Sequence, residues 1–308
     1  MTDPQDTPPA TPFLLCLLAI FIASGLDAGV KAAALTFPLL TVIFWRYLCG
    51  VALLLPVYLG RARAPLTAHN LRLHAFRGAA QAATAVTYFY ALTKIGLAEA
   101  TVIAFTAGLW VVPLSALILG ERVRIVSVIA IAIGFTGAVI AVSGQPLSLA
   151  GGGERTLGIV AATLSAVTYA LTLVLMRLQT RTDDALSILT YSNIVPAVLI
   201  APLALSVDTW PGVGVIPVGA VVAVFGITVW WLFTLAYAKA EAQQLAPIDY
   251  TALLWSALFG YLVFNETPGW QLYAGAVLII ASCLTVTLRR RRRPPGSGSG
   301  SPEAHEVV

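Results

Sequence analysis

Apolar residues run along this chain in long blocks, broken by short polar or proline-bearing stretches. The blocks approach the ~20 residues that a helix needs to cross a bilayer. The pattern predicts ten spans, at 13–35, 38–59, 73–95, 98–119, 124–143, 157–177, 185–207, 214–237, 243–264 and 269–288. Pro38, Pro65, Pro146, Pro211 and Pro268 mark connections, and Gly151-Gly152-Gly153 marks the longest loop signal. The tails MTDPQDTPPATP and RPPGSGSGSPEAHEVV are rich in Pro, Gly and Ser and read as disordered. The expected organisation is a cytoplasmic tail at 1–12, a five-helix unit at 13–143, a linker loop at 144–156, a second unit at 157–288 and a basic tail at 289–308.

A shift of 145 residues lays part of the chain on itself: Lys94 meets Lys239, Thr106 meets Thr251, Trp110 meets Trp255 and Glu121 meets Glu266. The matched stretch, YALTKIGLAEATVIAFTAGLWVVPLSALILGE against LAYAKAEAQQLAPIDYTALLWSALFGYLVFNE, has no gap. A unit with an odd number of spans, repeated in a membrane, enters upside down the second time. The expected fold class is therefore all-α integral membrane, with ten transmembrane helices as two inverted five-helix repeats, an architecture of transporters.

Composition removes the soluble alternatives. Hydrophobic residues make up 58% of the chain and charged residues 10%, against ~25% charged in soluble domains. The first apolar run, Phe13 to Leu35, lacks a basic leader and exceeds the ~7–15-residue core of a cleaved signal. Cys16, Cys49 and Cys283 all fall in apolar segments, which argues against a disulfide framework. Five positive charges form the run Arg289 to Arg293 after the last span, a membrane-surface stop and not a nucleic-acid site. Lys and Arg concentrate in one set of connections: Arg61, Arg63, Arg72 and Arg77, then Arg122 and Arg124, then Arg177 and Arg181, then Lys239. The other set holds Lys94 and Arg155. This bias places both termini in the cytoplasm of a multi-pass protein of the cell inner membrane.

The small-polar stretch Gly25-Leu26-Asp27-Ala28-Gly29 ending in Lys31, then Pro38, Phe44-Trp45-Arg46, Gly120-Glu121 and its counterpart Asn265-Glu266 occur in a characteristic order. With these motifs the chain resembles the drug/metabolite transporter superfamily, EamA-type ten-helix branch, and within it bacterial amino-acid exporters, including aromatic ones. The resemblance covers residues 13–288. It implies a central cavity lined by spans 1, 3 and 4 with 6, 8 and 9, rocking of the two units, and a small polar metabolite as cargo. The second unit departs from the first, with Asn193 near the place of Arg46 and Asn265 for Gly120.

Ionisable groups inside a span are costly and point to function or to mutual pairing. Asp27 and Arg46 fall near mid-span, and Lys31 follows Asp27 by one helical turn. One reading has this set gripping a zwitterion; the other has it locking spans 1 and 2 together. The aromatic candidates for the cavity wall are Tyr88, Trp110, Tyr169, Trp230, Tyr250 and Trp255, with Asn193 as a polar member. Pro113 and Pro247 are expected to kink spans 4 and 9, where gates would sit. Glu121 and Glu266 read as helix starts, and the glycines of spans 5 and 10 as close-packing positions.

The expected function is a secondary transporter exporting amino acids, of aromatic or broad range, or related metabolites, facilitatively. The alternatives are a proton-coupled efflux carrier and, more remotely, an intramembrane lipid-modifying enzyme. HExxH and GxxxxGK are absent, and the histidines lack metal-ligand spacing, so no enzymatic activity, cofactor or metal is expected. The expected partners are a small-molecule substrate and the lipid bilayer, without nucleic acid, in a monomer or weak homodimer.

Overall fold

The structure, a computed structural model, describes residues 11–34, 36–61, 67–94, 100, 103–143, 153–206, 212–264 and 269–291, apart from some individual side chains. The helices are α1 (Thr11–Ala34), α2 (Leu39–Leu59), α3 (Ala68–Lys94), α4 (Ala107–Leu119), α5 (Ile125–Val142) and α6 (Gly153–Gln179). They continue as α7 (Ala185–Leu205), α8 (Val215–Lys239), α9 (Ala242–Asp249), α10 (Ala252–Phe264) and α11 (Trp270–Arg291). Among the described residues there is no strand. Among the described residues four stretches are long and apolar enough by themselves to cross a membrane: Leu40–Leu59, Gly153–Gln179, Ala185–Leu205 and Val215–Lys239. Hydroxyls inside these apolar helices bond back to carbonyls one turn earlier, as Thr84 does to Ala80, Thr168 to Leu164 and Thr234 to Trp230. Lys31 belongs to α1, but its side chain, with Asn265, Glu266 and both tails, lies outside the described residues.

Helix packing reproduces the duplication. Helix α1 packs on α8 and, in exchange, α6 packs on α3; α2 packs on α8 as α7 does on α3; α4 packs on α6 as α10 does on α1. The pairs α2–α7 and α5–α11 meet their own counterparts. Swapping the two repeats leaves this pattern unchanged, which is the signature of a twofold relation. The same 145-residue shift that matches the letters carries both bounds of α4 onto those of α10.

Spans 4 and 9 are each interrupted, and at equivalent places. A helical turn at 103–105 ends at Thr106 before α4, and α9 ends just before Tyr250 and Thr251, ahead of α10. Thr106 Oγ1 donates to the Ile103 carbonyl (2.6 Å) and Thr251 Oγ1 to the Ile248 carbonyl (2.7 Å), the same bond in both repeats. Phe105 and Tyr250 are repeat mates, and their rings touch edge to face at 5.6 Å. Pro113 lies inside α4, after the first break, and Pro247 inside α9, before the second. Neither proline has a counterpart in the other repeat (Leu258 and Val102), so the shared break follows the shared threonine.

The glycines of spans 5 and 10 are used within the molecule. A Cβ at Gly137 would stand 2.8 Å from the Gly275 carbonyl, and Ser282 Oγ donates to the Ala130 carbonyl at 2.6 Å. Helices α5 and α11 thereby meet backbone to backbone.

Candidate functional site

The largest apolar cluster joins Phe13, Cys16, Ala19 and Ile20 of α1, the later halves of α6 and α8, and residues of α4 and α9. These are the segments nearest the end of the bundle where the chain enters and leaves, here called the terminal end. Polar links between repeats close the same end. Arg124 Nη2 meets Glu241 Oε1 at 2.6 Å, and His74 Nε2 meets Asp183 Oδ2 at 2.9 Å. Within the second repeat Arg177 donates from Nη1 to the Tyr237 and Ala238 carbonyls, and across the repeats its Nε stands 3.7 Å from Glu121, an ion pair too long for a hydrogen bond. Toward the opposite end the bundle loosens: Asp27 and Gly29 of α1 and Tyr90 of α3 are exposed.

Glu121 is not a helix cap. Gly120 adopts φ +66°, a left-handed turn that ends α4, and its amide bonds back to the Ser115 carbonyl. This turn directs Glu121 inward to Arg177, and Arg124 takes the N-cap position of α5. Burial, with the nearby Glu241 charge, pushes the Glu121 carboxyl above its ordinary value, against the pull of Arg177 and Arg181.

Asp27 has dense protein around it yet keeps an exposed surface. It stands seven residues before the end of α1, and Arg46 seven residues after the start of α2, so the two occupy one level and feel each other's charge. The Arg46 guanidinium lies over the Tyr47 ring at 4.6 Å and against Gly226 of α8, where a Cβ would come within 2.9 Å of Nε and Nη2. Tyr169 of α6 stands within electrostatic reach of both Asp27 and Asp249. Trp230 is half-buried, its ring tilted against Phe233 at 5.8 Å.

Other sequence candidates stand apart from this group. Tyr250 is 1% exposed and wedges against Gly108 and Gly134, between α4 and α5. Asn193 is held against Gly50 in the α2–α7 contact and donates to the Leu189 carbonyl. Tyr88 packs on Ala91, Ala100, Ala161 and Ala162. Trp110 shares a helix face with Leu117, which is 83% exposed, and borders a shallow groove of about 410 Å³ with Pro113 and Thr163. Trp255 occupies the equivalent seam between α10 and α1, edge-on to Phe21 at 5.1 Å.

Two groups come forward that the hydropathy pattern hid. Arg77, counted as a loop charge, is buried on the side of α3 that meets α6 and α7. With His74, Gln81 and Thr84 it forms a polar stripe at helical spacing that meets Gln179, Thr172 and Thr168 of α6. That spacing was the available signal. Asp249, at the break of span 9, has one carboxylate oxygen buried without a hydrogen-bond partner, as has the Tyr237 hydroxyl near it.

A helical bundle built from two exchangeable units is an architecture of membrane transporters. The chain belongs to the EamA-like transporter family, whose model matches twice, at residues 11–143 and 156–288. It is a multi-pass membrane protein of the drug/metabolite transporter superfamily. It is 28% identical over 282 residues to the pseudopaline exporter CntI of Pseudomonas aeruginosa, covering 90% of this chain and 96% of that one. Identity to the riboflavin transporter of Rhizobium johnstonii is 30% over 273 residues, 84% of this chain and 85% of the relative. The S-adenosylmethionine uptake transporter of Rickettsia prowazekii is 25% identical over 276 residues, with 90% and 92% covered. A solved crystal structure shares the fold, with a TM-score of 0.77 at 21% identity over 92% of this chain and 98% of that one. These named relatives are transporters, not enzymes, and they include both an exporter and importers.

Proposed function

We propose that this protein exports small zwitterionic metabolites of the amino-acid class by facilitated alternating access. The observation that carries this reading is the Asp27–Arg46 level in the open half. Arg46 presents a guanidinium fork suited to a carboxylate, and Asp27 an acceptor suited to an ammonium group. In the free protein the two charges offset one another, and a zwitterion can replace that contact with two of its own. Tyr169 and Trp230 supply apolar faces for a side chain. With the terminal end cytoplasmic, as the loop charges favour, the present state is outward-open and cytoplasm-closed. The similarity to an exporter supports the direction, although other relatives import their cargo.

The test is counterflow into vesicles carrying the purified protein, with a panel of the amino acids. Saturable exchange of at least one of them is expected in the wild type, with a loss of about tenfold or more in Asp27→Asn at equal protein level. Absence of exchange across the panel rejects the substrate class, and wild-type rates in Asp27→Asn remove Asp27 from the site.

A second reading, proton coupling, is favoured by Asp249. Among the described residues its carboxylate has no basic partner, and the titratable groups that sense its charge are Tyr169, Tyr237 and Tyr250. Opening of the terminal end would bring this carboxylate to water, where it can exchange a proton. Under this reading an imposed pH gradient drives accumulation in the wild type and fails to do so in Asp249→Asn, which still exchanges substrate. Equal accumulation with and without the gradient leaves facilitated transport.

A further inference from the structure

Arg77 is 2% exposed, with its side chain enclosed between α3, α6, α7 and α8. Its Nε donates to the Thr172 carbonyl at 3.4 Å and its Nη1 to Ser192 Oγ, while Nη2 has no partner among the described residues. No carboxylate among the described residues pairs with it. Asp183, near the neighbouring turn, is occupied by His74 at 2.9 Å and by Asn70 at 2.5 Å. A buried cation without a counter-charge is a standing cost, and a neutral side chain of similar volume would pack there more cheaply. The unused donor therefore calls for an anion.

The surroundings fit one. The Trp230 ring lies 5.2 Å from the guanidinium carbon. Tyr47 stands beside Arg77 and accepts from Gln81 Nε2 at 3.3 Å. The same Tyr47 ring carries Arg46 at 4.6 Å, so a single residue connects the two arginines. The repeat relation places them further. The 145-residue shift carries Asp27 onto Thr172, whose carbonyl accepts from Arg77, and Arg77 itself onto Val222. The α3–α6 seam around Arg77 is thus the inverted counterpart of the α1–α8 seam around Asp27, displaced toward the terminal end.

We propose that Arg77 is a second anion-binding residue, which receives the substrate's carboxylate when the terminal end opens. This rests on the reading of the protein as a carrier of carboxylate-bearing metabolites. Arg77 serves the terminal side of the path and Arg46 the opposite side. For an exported molecule Arg77 makes the first contact, and the carboxylate then passes Tyr47 to reach Arg46. Trp230 flanks the first position and shields it from water.

The experiment compares wild type, Arg77→Met and Arg77→Lys in detergent and in vesicles. The probes are phenylalanine, phenylalaninamide, phenylacetate and succinate. Thermal unfolding without ligand is expected to be unchanged or higher in Arg77→Met, because the uncompensated charge is gone. Phenylalanine and at least one simple carboxylate should raise the unfolding temperature of the wild type and leave that of Arg77→Met unmoved. Phenylalanine exchange should fall about tenfold or more in Arg77→Met and less in Arg77→Lys. The proposal is overturned if Arg77→Met unfolds about 5 °C or more below wild type while Arg77→Lys does not, which marks a structural cation. It is equally overturned if no carboxylate shifts the wild type, or if Arg77→Met keeps the shift. A wild type that responds to phenylacetate or succinate through Arg77 but exchanges no amino acid keeps the Arg77 site and rejects the amino-acid substrate.

Discussion

Gly226 shows how one absent side chain shapes the charged level. Its missing Cβ leaves room for the Arg46 guanidinium against α8. Gly226→Ala should therefore displace Arg46, lowering transport about tenfold, while overpacking costs about 1–3 kcal/mol of stability. Exchange rate measured beside thermal unfolding separates the two, and an unchanged rate removes Gly226 from the site. Glu121 carries a pH dependence with a definite sign. Its carboxyl titrates above the ordinary 4.5, so the closed state favours the protonated form. The stabilisation is complete below the unfolded value and is lost as pH rises through the raised folded value. Glu121→Gln should accordingly raise the unfolding temperature at pH 8 more than at pH 5, as followed by thermal unfolding across that range. A larger gain at pH 5 would contradict the assigned shift.

Among the elements, the paired breaks in spans 4 and 9 set the mechanical design. Each threonine hydroxyl adds a second hydrogen bond to the carbonyl that its own backbone amide already meets, which tightens the turn at the break. Thr251 is buried whereas Thr106 is half-buried, so Thr251→Ala should cost more, about 1 kcal/mol, than Thr106→Ala. Unfolding of the two single variants, compared at equal detergent, checks the order. The ten-span pattern and its inversion were readable from hydropathy, an odd repeat and loop charge, since each follows from the bilayer as solvent. The break was not readable, because prolines draw attention in sequence while the break here belongs to a threonine without special hydropathy. Arg77 escaped for another reason: the first turns of α3 are polar and mostly exposed, and of residues 68–77 only His74 and Arg77 are buried, towards α6 and α7. Asp27 and Arg46 share a level with Tyr169 in electrostatic reach of Asp27, Trp230 lies beside Arg77 and Phe233, and Tyr250, Asn193 and Tyr88 serve helix contacts.

At the scale of the molecule, closure of the terminal end rests on links between repeats, and one of them offers a clamp. Arg124 and Glu241 face each other at 2.6 Å. A disulfide formed in the double variant R124C/E241C should stop transport, and reduction should restore it. Counterflow before and after reductant checks this, and unimpeded transport by the cross-linked protein would show that this end need not open. The contact between Phe105 and Tyr250 has a meaning for the repeat as well. The two positions are repeat mates and touch each other at the twofold relation between the halves. In a pair of identical units arranged as these halves are, the two would be a single position, and residue would meet identical residue there. Such a position could change only in both copies at once. Joining the halves in one chain removes that constraint, and the present pair, phenylalanine on one side and tyrosine on the other, shows that the halves are free to differ.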